Sequence, residues 1–544
     1  MKNSQEIYIT DKGTDSNDGN AVMSDFSVMY EYLESSGYKL FTAILKPSDE
    51  GKYPVIIMRN PYLEMYENST EQEILDVYRK DLAPWINRGY AVVYQHCRGE
   101  GKSEGDFIPF IYENEDGRNL QEWIRHQSFY NGEMYLVGGS YTNIVHVETA
   151  PFADDIKGII ISVNDCNRYN MIYRNGVFKR GLFGGWYVDM YKSKSHMKKN
   201  KSDKMFELVP FKDLPEVTFG EKDEIMSQFI KNPDPKSDFW NTKLGGVHIK
   251  EAIRNENVPV LLHTAFNDIF LGGYFDMWRS LSGTLKAKSA FLVSPYDHGD
   301  VASKFGYHFE NGTCREQFGN DFQIDWIDYL RGKREAPFEP GKVTYYRSFE
   351  SGWTTDAFEA VENSMEIKLG DEEKTYSYDP DNAPGFPGGL SCCFGGSLYQ
   401  HEPYQRDDVI TVYTDAFEED VFVKGKMTAK LKVKSDCEDT GFYVRISITK
   451  DGRDLGIRDD ITSLCYQLGD YEPNSEVTIN FTFDDHAFAI KKGEKLRIDI
   501  TSADRVHYVP HTNNKGPYYE QTTKKIANNT VYLSESVLTL PIEE

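Results

Sequence analysis

The sequence predicts an α/β layer architecture built on a parallel sheet and followed by an all-β domain, and three observations carry that prediction. Between residues 53 and 295, short apolar runs recur without alternation: Tyr53 to Met58, Tyr90 to Tyr94, Met134 to Val137, Ile156 to Val163, Val258 to Leu262 and Ala290 to Val293. Continuous apolarity marks strands covered on both faces, as in a parallel sheet. Leu120, Trp123 and Ile124 sit between two of these runs at helical spacing, as a crossover helix requires. Beyond about residue 336 the pattern changes to short β-rich segments bounded by turn residues.

Taken in order, the run Met134 to Val137 delivers Gly138-Gly-Ser-Tyr-Thr142 onto a tight turn just before Val145 to Ala150, which reads as helix. Small residues before Ser140 let a strand-to-helix turn close, so that its hydroxyl stands clear at the carboxyl end of a sheet. Two partners of the right chemistry follow. Asp268 lies in Phe266-Asn-Asp-Ile-Phe270, past the run ending at Leu262, and His298 lies in Ser294-Pro-Tyr-Asp-His-Gly299, past Phe291-Leu-Val293. Ser140, Asp268 and His298 thus follow the chain order of the α/β-hydrolases, each just beyond a predicted buried strand.

The hydrolase domain is expected in two parts, residues 1–164 and 251–335, with residues 165–250 inserted as a mostly helical cap. That insertion is rich in aromatics and glycines and carries a basic stretch around His196 to Lys204 and the turn-rich Asn232-Pro-Asp-Pro-Lys236. Residues 336–544 are expected to form a jelly-roll β-sandwich, including Val343 to Arg347, Val409 to Tyr413, Met427 to Val433, Phe442 to Thr449, Val477 to Phe483 and Leu496 to Ile500. Alternation such as Lys430-Leu-Lys-Val-Lys434 gives those strands one wet face.

A chain of 544 residues exceeds one ordinary core, and 39% hydrophobic with 14% aromatic content can fill two or three. The formal charge of −25 argues against nucleic acid or anionic membrane as a partner, since both reward clustered Lys and Arg. Seven cysteines, at 97, 166, 314, 392, 393, 437 and 465, form no Cys-x-x-Cys pair, so reduced thiols and no metal are expected. The first residues have no apolar signal core and no run reaches a membrane span, which predicts a soluble, cytoplasmic chain. No cofactor is implied, and homo-oligomerisation is left open.

Several stretches together resemble the cocaine esterase-like hydrolases, a family related to α-amino-acid ester hydrolases, glutaryl acylases and the Xaa-Pro dipeptidyl peptidases. They are Arg59-Asn-Pro-Tyr62, Arg98-Gly-Glu-Gly-Lys-Ser-Glu-Gly105, Glu122-Trp-Ile124, Asn131-Gly132, Gly138-Gly-Ser-Tyr141, Asn267-Asp-Ile-Phe-Leu-Gly-Gly273 and Pro295-Tyr-Asp-His-Gly299. Weaker matches continue through Tyr378-Asp-Pro-Asp-Asn382 and Lys492-Gly-Glu-Lys-Leu-Arg497. The resemblance implies that Ser140 is the acylated nucleophile, His298 its general base and then acid, and Asp268 the carboxylate fixing the imidazole tautomer. It also implies that Tyr62 donates its phenol to the oxyanion beside the backbone amide of Tyr141. Phe270 and Trp186 are candidates for the substrate pocket.

Two departures stand out: Asn143 where the family usually has glycine, and His96 where many members have aspartate. Asn143 bears on close helix-to-strand packing, His96 on charge near the site. The expected activity is hydrolysis of a small acyl ester or amide. The longer dipeptidyl peptidases carry an amino-terminal domain with no counterpart here, which makes proline-specific exopeptidase activity the alternative. A non-catalytic ligand-binding protein on the same fold is another. Gly99-Glu-Gly-Lys-Ser103 ends like a phosphate-binding loop, but the full pattern needs glycine where His96 stands. A metal hydrolase using His96, Cys97 and Glu100 would need a ligand spacing that matches no established site.

Overall fold

The structure is a computed structural model that describes residues 26–149, 153–164, 166–193, 199–200, 202–247, 258–350, 352–390 and 395–543. Its strands begin with β1 (Ser27–Ser35), β2 (Tyr38–Lys46), β3 (Tyr53–Asn60), β4 (Ala91–His96), β5 (Tyr130–Gly139) and β6 (Ile156–Ser162). A two-residue hairpin of β7 (Tyr173–Arg174) and β8 (Val177–Phe178) follows, then β9 (Val260–Ala265), β10 (Ala290–Ser294), β11 (Val343–Tyr346) and β12 (Trp353–Asp356). All but the hairpin form one sheet in the order β1-β2-β4-β3-β5-β6-β9-β10-β11-β12. The pairs from β4 through β11 are parallel, while β1, β2 and β12 join antiparallel at the edges.

The strands that read as continuous apolar runs are those buried on both faces: every residue of β4, β9 and β10 is buried. The predicted crossover helix is Glu113–Arg125, with Leu120 and Ile124 in the core. Parallel order delivers the carboxyl ends of β3, β5, β9 and β10 to one edge of the sheet, where such folds carry their sites.

Between β6 and β9 the described residues form short helices, among them Arg168–Ile172, Leu214–Phe219 and Glu224–Ile230, together with the β7/β8 hairpin and a π-helical segment Gly181–Tyr187. Most aromatics of this cap make its own core. Tyr187 is buried and donates to Asp223 Oδ2 at 2.8 Å, and Trp240 is buried with its indole N–H on the Asp234 carbonyl at 2.9 Å. Part of the basic stretch around His196 lies outside the described residues.

One boundary differs from expectation. The segment Val343 to Arg347 does not open the second domain: Val343–Tyr346 pairs parallel with β10, and Trp353–Asp356 turns back along it. Its four residues are all buried, so a strand too short to show periodicity completes the first sheet. The β-sandwich begins with Asn363–Lys368 and stacks a seven-stranded sheet on a four-stranded one. The long strand Ala527–Glu543 pairs with four others. Along Thr428–Ser435 the apolar Ala429, Leu431 and Val433 are buried while Lys430 is exposed, the alternation expected of a strand with one wet face.

The two domains are joined by charged contacts that cross the interface. Arg174 of the cap pairs with Asp460 at 2.7 Å and Asp484 at 3.0 Å. Arg279 pairs with Asp485 at 2.6 Å, and the buried Arg458 reaches from the sandwich to Asn267 Oδ1 at 3.3 Å.

Candidate active site

Ser140 occupies the turn between β5 and the helix Tyr141–Val147 with φ 55° and ψ −134°. A non-glycine residue held at positive φ is strained, and the surroundings must hold it there. They do so through Ser140 N–H on the Ser162 carbonyl at 2.9 Å and Thr142 Oγ1 closing the turn onto Gly139 N and O at 2.7 and 2.6 Å. Gly138 is required by space: a Cβ there would meet the Thr142 carbonyl oxygen at 2.2 Å.

His298 Nε2 lies 3.0 Å from Ser140 Oγ, and His298 Nδ1 lies 2.9 Å from Asp268 Oδ1. An ionised carboxylate only accepts, so Nδ1 carries the proton and Nε2 offers its lone pair to the serine hydroxyl. Asp268 is fully buried, and its other oxygen accepts the Thr264 hydroxyl at 2.7 Å. The amide of Phe270 also donates to Oδ1, at 3.2 Å. All three residues lie where the sequence put them, at the ends of β5, β9 and β10.

Tyr62 follows β3 and is half-buried; its hydroxyl accepts the indole N–H of Trp186 at 3.1 Å. The Trp186 ring in turn stacks on Tyr141, with centroids 4.9 Å apart at 28°. The backbone N–H of Tyr141 heads the helix, where no carbonyl of that helix can accept it. Beneath it, the Tyr141 hydroxyl donates to Glu113 Oε1 at 2.7 Å and accepts from Phe110 N–H at 2.6 Å. Burial pushes the Glu113 carboxyl up to about 7, against the pull of Arg59. Phe270 is buried and meets the His298 ring edge-on at 5.3 Å. Asp297, next to His298, is likewise raised by burial, to about 6.

Both departures from the resemblance have structural accounts. Asn143 is fully buried; its amide donates to the Ile160 carbonyl and its oxygen accepts from Asn164 Nδ2 at 2.5 Å. The helix therefore still packs on β6, through polar contacts in place of a bare backbone. His96 is buried, with Nδ1 accepting Lys102 N–H at 3.1 Å and Nε2 facing the Tyr78 hydroxyl at 2.8 Å. Nδ1 thus holds the Gly99 to Ser103 turn while Nε2 ties the end of β4 to the helix Glu71–Asp81, and no helix follows that turn directly as a phosphate loop would need. Thr264, Glu113 and Phe110 were not singled out from the sequence. A threonine four residues before the acid, on the strand that leads to it, is the one available signal.

A parallel sheet with a cap, a β-sandwich behind it, and serine, histidine and aspartate in one hydrogen-bonded line define a hydrolase of the α/β type. Residues 36–300 match the family model for X-Pro dipeptidyl-peptidase (S15 family), and residues 350–537 match the X-Pro dipeptidyl-peptidase C-terminal non-catalytic domain. The chain belongs to this S15 and cocaine esterase-like family of hydrolases. It is 22% identical over 540 residues to the cocaine esterase of Rhodococcus sp. (strain MB1 Bresler), covering 88% of this chain and 91% of that one. Among solved structures, an aminopeptidase from a marine sediment Thaumarchaeota archaeon superposes with a TM-score of 0.79 at 16% identity, over 98% of this chain and all of that one. An α-amino acid ester hydrolase gives the same TM-score and identity over 98% and 99% of the two chains. Among the described residues, no helix is long and apolar enough to cross a membrane.

Proposed function

We propose that the protein is a serine hydrolase that cleaves a small acyl ester or amide through an acyl-enzyme. The observation that carries this reading is the unbroken line Ser140 Oγ, His298 Nε2, His298 Nδ1, Asp268 Oδ1, with contacts of 3.0 and 2.9 Å. As Ser140 attacks the substrate carbonyl, His298 takes the hydroxyl proton and Asp268 stabilises the imidazolium. The carbonyl oxygen becomes an oxyanion, which the Tyr62 hydroxyl and the Tyr141 amide would receive, each such donor being worth roughly 3 kcal/mol of barrier. His298 then returns the proton to the leaving alcohol or amine as its bond to the acyl carbon breaks. Water, deprotonated by the same imidazole, releases the acid and restores Ser140.

Phe270 and Trp186 are aromatic walls beside the imidazole and beside Tyr62, which supports an apolar acyl group. An Xaa-Pro exopeptidase is the second reading, and the family models matched over residues 36–300 and 350–537 favour it. The five described cysteines are free and most are buried, which supports a reducing, cytoplasmic setting. The test is intact-mass measurement after incubation with a fluorophosphonate, on the wild type and Ser140→Ala. A single adduct lost in the variant is expected; no adduct on folded wild type would sink the mechanism. Screening esters, amides and aminoacyl-prolyl amides then separates the two readings.

A further inference from the structure

Three side chains outside the triad meet where β9, the loop after His298 and the helix Cys314–Phe318 come together. One ligand atom each of His263, Asp300 and Cys314 lies within 4.8 Å of the other two. Cys314 is completely buried and His263 is 8% exposed. His263 Nε2 lies 3.5 Å from Asp300 Oδ2 and has no hydrogen-bond partner among the described residues. Asp300 Oδ1 is also buried, and the Asp300 carboxylate is hydrogen-bonded to the Cys314 side chain. Buried polar atoms are satisfied in the great majority of cases. Nitrogen, oxygen and sulfur ligand atoms from three separate elements are thus gathered at one largely buried point.

We propose that His263, Asp300 and Cys314 form a divalent-cation site, and that zinc is the ion it takes. Imidazole, carboxylate and thiolate are the ligand types zinc prefers, at bond lengths of about 2.0–2.3 Å. Tetrahedral ligand atoms at those lengths are about 3.3–3.7 Å apart, so the His263–Asp300 separation of 3.5 Å already fits. The remaining separations are within 4.8 Å and would shorten by up to about 1 Å on binding.

The outer contacts suit the same role. His263 Nδ1 lies 3.3 Å from Ser162 Oγ, which also faces Gln323 Nε2 at 3.4 Å. With Nδ1–H given to Ser162, Nε2 turns its lone pair towards the cluster, the tautomer a ligand needs. Cys314 N–H donates to Asp300 Oδ2 at 2.9 Å and fixes the carboxylate. Burial and the adjacent carboxylate hold the Cys314 thiol well above its ordinary range. The cation must displace that proton: the S–H bond breaks, a zinc–sulfur bond forms, and the proton passes to buffer, so binding weakens at low pH. His263 stands on the strand that leads to Asp268, and Asp300 follows His298 by two residues. The ion would therefore clamp together the loops that carry the acid and the base without touching Ser140.

The test uses the full chain freed of metal and titrated first with Co2+, then with Zn2+. One equivalent should bind with a sulfur-to-cobalt charge-transfer band that zinc abolishes, and zinc should raise the melting temperature. Cys314→Ser should lose the band. His263→Gln should weaken zinc by about a hundredfold or more, and Ser162→Ala by about tenfold to a hundredfold. Cys465→Ser, at the one described cysteine that is only partly buried, should bind as wild type does. No band and no thermal shift in folded wild type would overturn the proposal, as would a band that persists in Cys314→Ser. If near-ultraviolet circular dichroism shows that Cys314→Ser has not folded, unchanged zinc affinity in His263→Gln overturns it instead.

Discussion

The indole N–H of Trp186, in the inserted cap, donates to the Tyr62 hydroxyl, in the loop after β3, at 3.1 Å. A phenol held from its acceptor side is oriented to give its own proton, and the stacking of Trp186 on Tyr141 ties the same side chain to the residue after the nucleophile. The cap therefore positions both proposed oxyanion donors. Tyr62→Phe is expected to lower kcat by about a hundredfold or more with little change in KM, because the oxyanion exists only beyond the ground state. Trp186→Phe keeps the stacking and loses the hydrogen bond, and should cost about tenfold in kcat. Steady-state kinetics on any turned-over ester checks both; an unchanged kcat in Tyr62→Phe would remove it from the mechanism.

Thr264 gives the Asp268 carboxylate a second, side-chain donor at 2.7 Å inside a fully buried setting. Replacing it by valine keeps the shape and leaves one oxygen of a buried charge short of a partner. Thr264→Val should lower kcat/KM by about tenfold, and Thr264→Ser should restore most of it. A valine variant with wild-type kinetics would limit Thr264 to packing.

Ser140, Asp268 and His298 were legible in the sequence because each terminates an apolar run that only a doubly covered strand explains. Other features carry no such mark. Val343–Tyr346 is four residues long and lies close to the sandwich in sequence, so its membership of the first sheet depends on pairing with β10. Trp186 is a pocket candidate in the sequence, but its hydrogen bond to Tyr62 has no mark there, since only tertiary contacts separate that donor from the core aromatics Tyr187 and Trp240 of the same insertion. His263, Asp300 and Cys314 are far apart in the chain and fall in no metal-ligand spacing, so only the fold brings them together.

Glu113 supplies a pH dependence of stability. Its folded-state value is raised by burial from 4.5 to about 7. The unfolded chain therefore releases this proton near pH 4.5 while the folded chain keeps it to about pH 7. The stability contributed by the protonated form is fully present below pH 4.5 and is lost as pH rises through 7, by at most on the order of 3 kcal/mol. Glu113→Gln, which keeps an acceptor for the Tyr141 hydroxyl, should remove this slope. Urea unfolding midpoints measured from pH 4.5 to 7.5 decide it: parallel wild-type and variant profiles would assign the pH dependence elsewhere.

Arg458 links the β-sandwich to the acid-bearing loop. Its guanidinium donates to the carbonyls of Asp484 and Asp485 at 3.1 and 2.8 Å and to Asn267 Oδ1 at 3.3 Å, while Asn267 Nδ2 donates to the Pro295 carbonyl at 3.1 Å. One buried cation from the second domain thus reaches the residue before Asp268, and that residue holds the loop leading to His298. Removing a buried charge strands the acceptors around it, at a cost of about 3–5 kcal/mol when a partnered ion is deleted. Arg458→Ala should therefore destabilise the whole chain and lower kcat, whereas Arg279→Ala, which unpairs the buried Asp485 carboxylate at the same interface, should destabilise the chain and leave kcat unchanged. Denaturant unfolding and steady-state kinetics on the two variants separate the roles. Equal effects would mean that the sandwich acts only as a generic support and that the contact to Asn267 carries no positional information to the active site.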